Sequence, residues 1–154
     1  MLAYAFQHKS ELMKARAKSL SLDKNKYFYS NGFTDYTLDI EESDWNKLQM
    51  VSVLECGAVI GYFNSSFDRP SKKASGIEAI NYSFKNNVVF ARDLYAFLDG
   101  LFVNYGLNKI EWSVLIGNPI EAMYDRVAKR YGGNAFGLAH QACALKDGTL
   151  CDVK

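Results

Sequence analysis

The sequence predicts an α/β fold, a mixed sheet with helices packed on it, and three observations carry this prediction. Residues 49–63 form two short strand patterns joined by a turn at Gly57. A strand over 76–84, a helix over 90–105 and a strand over 109–116 follow in the order of a right-handed crossover between parallel strands. A second helix and further strands come after them, so hairpin strands and crossover strands are expected in one sheet.

Three segments precede the hairpin. Residues 6–20 carry apolar side chains among Lys, Arg and Glu, which predicts an amphipathic helix packed on the sheet. The aromatic run Tyr27–Phe33 contains an Asn-Gly pair and indicates a short strand or a structured loop. Ser43 is predicted to cap a short segment that reaches Lys47.

The helix over 90–105 is predicted from apolar side chains at steps of three and four. Gly106 stands just past its end, where a left-handed residue commonly closes a helix. Its apolar stripe consists of Phe90, Leu94, Phe97, Leu98, Leu101, Phe102 and Tyr105.

The second helix is predicted from its caps. Asn118 is expected to accept a hydrogen bond from the backbone N–H of Glu121, with Pro119 at the first helical position and Glu121 completing a capping box. Gly132 and Gly133 end the helix. One face is apolar, formed by Ile120, Met123, Tyr124, Val127, Ala128 and Tyr131, and the other carries Asp125, Arg126, Lys129 and Arg130.

This region resembles a known family. The motif Asn118-Pro119 followed five residues later by Tyr124, on a helix between two strands, resembles the C-terminal half of the acetyl-CoA-dependent N-acetyltransferases of the GNAT superfamily. The ending, from Phe136 to Asp152 with Lys-Asp-Gly as a hairpin turn, has the layout of that fold's last two strands. The resemblance covers about the last third of the chain.

The resemblance implies a single acetyltransferase-like domain over residues 1–154. Its central sheet would be mixed and mostly antiparallel, with two splayed parallel strands, 76–84 and 109–116, and helices on both faces. A chain of 154 residues agrees with one domain.

Composition narrows the range of partners. A formal charge of +1 gives no global field for nucleic acid, and no apolar run approaches the length of a membrane span. With no leader-like N-terminus, a soluble, cytoplasmic protein is expected. His8 and His140 stand apart from Cys and carboxylate clusters, so no metal is expected. The three cysteines, Cys56, Cys143 and Cys151, are interpreted as small buried apolar residues, with a catalytic thiol as the alternative.

The resemblance implies that acetyl-CoA is the co-substrate and that its pyrophosphate lies at the N-terminus of helix 90–105. The loop there contains no glycine, although the family pattern has glycines at this place. Asn86 and Asn87 can adopt left-handed conformations and so substitute in part for glycine, and Lys85 or Arg92 can add charge. The alternative is an ordinary polar connection between a strand and a helix.

Tyr124 falls where the family commonly places the acid that protonates the CoA thiolate. A tyrosine at this helical position is equally typical of a core residue with its hydroxyl at the edge. Asn118 has a sufficient explanation as a helix cap, and the resemblance adds contact with the cofactor.

Glu78 is the candidate general base, because family members use a carboxylate on the strand before the phosphate loop. It alternates with Ile77 and Ala79, so its side chain faces away from theirs. A solvated strand residue is the alternative interpretation, and Glu55 and Glu111 are weaker candidates for the base.

Three functional hypotheses remain open. The first is an N-acetyltransferase that transfers acetyl from acetyl-CoA to a primary amine by direct attack, with a small-molecule or peptide amine as acceptor. The second is a GNAT-like binding or structural module that has lost catalysis along with the glycine loop. The third is an unrelated α/β binding domain. A homodimer through the final strands is a further expectation.

Overall fold

Five strands form the main sheet in the order β1-β2-β3-β4-β5. The neighbours from β1 to β4 are antiparallel, and β4 and β5 are parallel, which confirms the predicted mixed sheet. The strands are β1 (Leu2–Tyr4), β2 (Lys47–Val53), β3 (Val59–Asp68), β4 (Lys73–Asn81) and β5 (Lys109–Ile110).

The computed structural model describes residues 1–21, 38–42, 45–83, 85–145 and 148–154. The predictions for Tyr27–Phe33, for the Ser43 cap and for Lys146 and Asp147 of the last hairpin turn lie outside these residues. The described residues fall into two compact units, which divide after Trp112. The main sheet belongs to the first unit.

Three α-helices occur in the described residues: α1 (Lys9–Leu20), which follows a 3-10 turn over Ala5–His8, α2 (Asn87–Val103) and α3 (Glu121–Arg130). The second unit holds α3 and a separate antiparallel pair, β6 (Ala139–Ala144) and β7 (Leu150–Val153). No helix of the described residues is long and apolar enough to cross a lipid bilayer.

Helix α2 covers one face of the sheet. Phe63 of β3 stacks on Phe90 and Phe97 of α2, with ring centroids 5.0 Å and 5.5 Å apart. The predicted stripe is buried at Phe90, Leu94, Phe97, Leu98 and Leu101. The helix begins three residues earlier than predicted, at Asn87, and Gly106 beyond its end has a φ of +64° as expected.

Gly61 lets α2 approach the sheet closely. A Cβ atom at Gly61 would lie 2.4 Å from Cδ2 of Phe90. Phe90 is buried and stacked on Phe63, so its ring cannot easily withdraw. The absence of a side chain at Gly61 therefore fixes how deeply the first turns of α2 pack.

The opposite face of the sheet carries a polar row. Gln49, Asn64 and Glu78 lie directly opposite one another on β2, β3 and β4. Phe63 and Ala79 form the neighbouring pair, which points to α2, so the polar row points the other way. Arg16 of α1 is buried and its charge acts on Glu78, which places α1 on this face.

The strand predicted over 109–116 is wrong as a continuous element. Residues 109–110 pair with β4, and the N–H of Glu111 makes a last hydrogen bond to the carbonyl of Ala74. Val114 and Ile116 then donate to the carbonyls of Lys154 and Asp152, next to β7. The segment is therefore extended, but its first residues bond to β4 and its later residues bond to the end of the chain near β7.

The N-terminal prediction missed one strand. The helix begins at Lys9 and not at residue 6, and β1 precedes it, with Leu2 opposite Ser52 of β2. A strand of three residues is too short to show a periodic pattern. The hairpin prediction is confirmed, with Gly57 at φ +83° between β2 and β3.

We expect Gly61→Ala to lower the free energy of unfolding by about 1–3 kcal/mol, because the new methyl group would overlap the Phe90 ring. Urea unfolding followed by circular dichroism measures this. Gly137→Ala is the matched control, since a Cβ there meets nothing within 4 Å. Equal unfolding midpoints for Gly61→Ala and the wild type would contradict the close packing of α2.

Candidate active site

The N-terminus of α2 is open to an anion. The capping residue Asn86 makes no side-chain cap hydrogen bond, and the first turn contains no acidic residue. The N–H groups of Asn87, Val88 and Val89 precede the first intrahelical hydrogen bond, which runs from the N–H of Phe90 to the carbonyl of Asn86. The positive end of the helix dipole is therefore left without a carboxylate of its own.

The connection into α2 is braced by its asparagines. The amide of Asn81 donates to Oδ1 of Asn87 over 2.8 Å, and the N–H of Ser83 donates to Oδ1 of Asn81 over 2.9 Å. The amide of Asn86 donates to Oγ of Ser83 over 2.9 Å. These bonds hold the turn in place.

The expectation that Asn86 and Asn87 mimic glycine through a left-handed backbone is wrong. Asn86 has a φ of −114°, and the non-glycine residues with positive φ in the described part of the chain are Lys72 and Gln141. The described residues of the turn, 82–83 and 85–86, reach the helix without a backbone conformation that needs glycine.

The two predicted cations differ in what they contact. Nε and Nη2 of Arg92 both donate to Oδ1 of Asp93, over 2.9 Å and 2.8 Å. Asp93 is buried, and the Ser52 hydroxyl donates to its Oδ2 over 2.6 Å. Arg92 thus compensates a buried carboxylate. Lys85 is exposed and has no hydrogen bond or ion pair with a described residue, so it is the cation available beside α2.

Glu78 lies on β4 directly opposite Asn64 of β3, just after an irregularity in the strand pairing. Asn64 pairs with Glu78 and Ser66 pairs with Ser75, so β4 holds one extra residue between these pairs. Gly76 within this bulge has a φ of +60°. Bulges of this kind bend the strand, and Glu78 is the first residue of β4 that pairs with β3 after it.

The surroundings of Glu78 suit a base. Partial loss of hydration among neighbouring protein atoms raises its pKa above the ordinary value for a glutamate, although Glu78 is an exposed strand residue, as the alternative interpretation expected. A hydrogen bond from Asn64 and the charges of Arg16 and Lys47 oppose this shift in pKa. A carboxylate that resists ionisation in this way accepts a proton more readily.

The weaker candidates for the base do not share these surroundings. Glu111 is held by Lys109 and Lys73, and these hydrogen bonds lower its pKa to about 2. Glu111 is therefore less suited than Glu78 to accept a proton. Glu55 is exposed in the β2–β3 turn. Cys56 is exposed in the same turn, so its interpretation as a buried residue is wrong, whereas Cys143 and Cys151 are half-buried.

In the second unit, the predicted cap of α3 is wrong, because Ile120 and not Asn118 is the capping residue and no side chain caps the helix. Oδ1 of Asn118 accepts from the N–H of Ile120 over 3.1 Å, whereas Glu121 donates its N–H to the backbone carbonyl of Asn118. The Glu121 carboxylate accepts from the N–H of Gly117 rather than from Asn118. The regular helix consequently begins at Glu121, after a turn through Pro119.

The other end of α3 closes as predicted. Gly132 has a φ of +73°, and Gly133 donates its N–H to the carbonyl of Ala128 over 2.8 Å. Tyr124 lies in the first turn of α3, half-buried, while Val127 is fully buried. Tyr124 therefore lies on α3 as the motif predicts, whereas Asn118 lies in the turn before the helix. The catalytic role of Tyr124 and the binding role of Asn118 stay predictions.

Sequence reasoning missed Asn64. It donates a hydrogen bond to the candidate base, and in the sequence it is simply the first of three polar residues that follow Tyr62 and Phe63. A bulge in β4 decides which residue of that strand lies opposite Asn64, and no pattern in the sequence indicates this bulge.

The chain is similar to solved acetyltransferase structures. A GNAT-family acetyltransferase from Streptococcus pneumoniae matches with a TM-score of 0.68 and 15% identity over 99% of this chain and 95% of its own. A mutant of spermidine N-acetyltransferase SpeG from Vibrio cholerae matches with a TM-score of 0.67 and 18% identity, over 99% of this chain and 90% of its own. A probable acetyltransferase matches with a TM-score of 0.57 and 20% identity, over 71% of this chain and only 60% of its own length.

No family model matches the sequence, and no curated protein matches it either. At these identities a structural likeness shows the fold. The chain has the fold of the GNAT acetyltransferases, which confirms the resemblance and the predicted fold class.

We expect Glu78→Gln to stabilise the folded protein at neutral pH, because the folded state raises the pKa of Glu78. Below the pKa of the unfolded chain, Glu78 is protonated in both states. As the pH rises through the folded-state pKa, the wild type loses stability that the glutamine variant keeps. Thermal unfolding at several pH values from about 4 to about 8 measures this difference.

The control for loss of a negative charge is Glu55→Gln in the exposed turn. A difference in Tm between Glu78→Gln and the wild type that stays constant across the pH range would contradict the assigned surroundings of Glu78.

Proposed function

We propose that this protein is an N-acetyltransferase that binds acetyl-CoA and transfers its acetyl group to a primary amine by direct attack. The observation that carries the proposal is the uncapped, acid-free N-terminus of α2, reached directly from the strand that holds Glu78. The GNAT fold of the chain supports it.

The residues at α2 suit a pyrophosphate. The free N–H groups of Asn87, Val88 and Val89 would donate to phosphate oxygens, and Lys85 would add a positive charge. Acetyl-CoA supplies an acyl thioester, which an amine can attack. Arg92 is not assigned to the cofactor, because Asp93 already holds its guanidinium. Asn118 is proposed to contact the cofactor, and only the sequence motif supports this role.

Glu78 is proposed to accept a proton from the amine. Its raised pKa makes it a stronger base than a fully hydrated glutamate, and its exposure to solvent lets it release the proton afterwards. Tyr124 is proposed to give a proton to the departing thiolate. This role comes from the Asn-Pro and tyrosine motif, together with its position in the first turn of α3.

A polyamine is the first acceptor to test. The proposal rests on similarity to a spermidine N-acetyltransferase, and peptide amines are the second class. A homodimer through the final strands also stays a prediction, and the exposed apolar side chains of Phe136, Leu138 and Leu150 in the second unit favour it.

The second candidate is a GNAT-like binding or structural module without catalysis. One observation favours it: the loop before α2 contains no glycine, and one of its two nearby cations is bound to a buried carboxylate. Loss of cofactor binding is the property that separates this candidate from the enzyme.

Isothermal titration with acetyl-CoA tests the proposal. We expect micromolar affinity for the wild type and a loss of about three- to tenfold in Lys85→Ala, which corresponds to roughly 1 kcal/mol for one charge contact. Lys14→Ala removes an exposed lysine from α1 and should bind like the wild type. Tyr124→Phe should bind normally and lose about a hundredfold in kcat with an amine that the wild type acetylates.

An absence of heat up to millimolar acetyl-CoA, with the protein folded, would refute the enzyme and favour the binding module. Equal affinities for Lys85→Ala and Lys14→Ala would remove Lys85 from the site.

A further inference from the structure

The side-chain amide of Asn64 makes a hydrogen bond to Glu78 through one of its two polar atoms. It lies directly opposite Glu78 across the β3–β4 pair and makes a side-chain hydrogen bond that favours the carboxylate form of Glu78. Since a carboxylate only accepts, the amide NH2 of Asn64 is the donor. The other end of the amide, Oδ1, is buried and receives no hydrogen bond from any described residue.

An unpaired buried acceptor is unusual in a folded protein. Here it affects the motion of the side chain, because no hydrogen bond from a described residue holds Oδ1 in one orientation. Half a turn of the amide exchanges Oδ1 for the NH2 group and, among bonds to the described residues, breaks the one to Glu78. Asn64 can therefore present either a donor or an acceptor to the same carboxyl group.

A carboxylate that acts as a general base needs first a hydrogen-bond donor and then a hydrogen-bond acceptor beside it. Before it takes a proton, its carboxylate needs a donor, and afterwards its O–H needs an acceptor. The charged groups that face Glu78 are Arg16 of α1 and Lys47 of β2, and both favour the carboxylate alone. Asn64 of β3 is neutral and can serve the two protonation states.

We propose that Asn64 is the positioning residue of Glu78, donating a hydrogen bond to its carboxylate and, after the amide turns, accepting one from its carboxylic acid. This rests on the proposed function. As the amine nitrogen bonds to the acetyl carbon and the carbon–sulfur bond breaks, the amine proton passes to Glu78, and the thiolate takes its proton from Tyr124, which regains one from solvent. Asn64 keeps the Glu78 side chain in one orientation through this exchange, and the proton then leaves to solvent.

Two nearly isosteric variants test the proposal. Asn64→Thr places a hydroxyl beside Glu78 that can donate and accept, whereas Asn64→Val has the same shape without the hydroxyl. The first measurement is an NMR titration of the Glu78 carboxyl carbon in the wild type and both variants, which needs neither cofactor nor activity. We expect the pKa of Glu78 to rise in Asn64→Val and to return toward the wild-type value in Asn64→Thr.

The second measurement is the pH dependence of acetyl transfer. We expect kcat to fall about ten- to a hundredfold in Asn64→Val with little change in KM, and to recover in large part in Asn64→Thr. The acidic limb of the kcat profile should move to higher pH in Asn64→Val. Ser66→Ala, an exposed position beyond the bulge, is the control and should leave both measurements unchanged. Amide spectra of each variant establish that it folds.

Each failure has a distinct meaning. Identical Glu78 titrations and equal kcat values in the wild type, Asn64→Val and Asn64→Thr would overturn the role of Asn64. A change in the titration without any binding of acetyl-CoA would overturn the proposed function and, with it, the catalytic use of this contact, while confirming the contact itself.

Discussion

The close approach of Phe90 to the backbone of Gly61 is the contact on which the candidate site depends. Phe90 is in the first turn of α2, so the depth at which its ring packs decides where the helix begins over the sheet. The same turn carries the free N–H groups that the proposed cofactor site requires. A packing constraint deep in the core therefore sets the position of an electrostatic feature at the surface.

Two carboxylates in the first unit, Asp93 and Glu78, differ in how far neighbouring groups compensate their charge. The buried carboxylate of Asp93 takes a hydrogen bond from Ser52 and the guanidinium of Arg92, which ties the helix to β2. Glu78 on the opposite face of the sheet receives less compensation, and loss of hydration raises its pKa. A fully compensated acid is suited to holding elements together, and an incompletely compensated one to exchanging protons.

Much of the architecture could be predicted, because it rests on local patterns. The apolar stripe of α2 follows from the spacing of its residues. The hairpin at Gly57 and the end of α3 at Gly132 follow from positive φ angles, which favour glycine. The strand over 109–116 could not be predicted as observed, since alternation does not reveal a change of partner. Asn64 was missed because its role arises from strand register across a bulge, which is a tertiary property.

The central claim is that the start of α2 binds the pyrophosphate of acetyl-CoA. Two-dimensional amide NMR during titration with acetyl-CoA tests it most directly, because it reports on each N–H separately. The account predicts the largest shifts at the N–H groups of Asn87, Val88 and Val89, saturating together. Saturable shifts elsewhere, with these three amides unchanged, would contradict it.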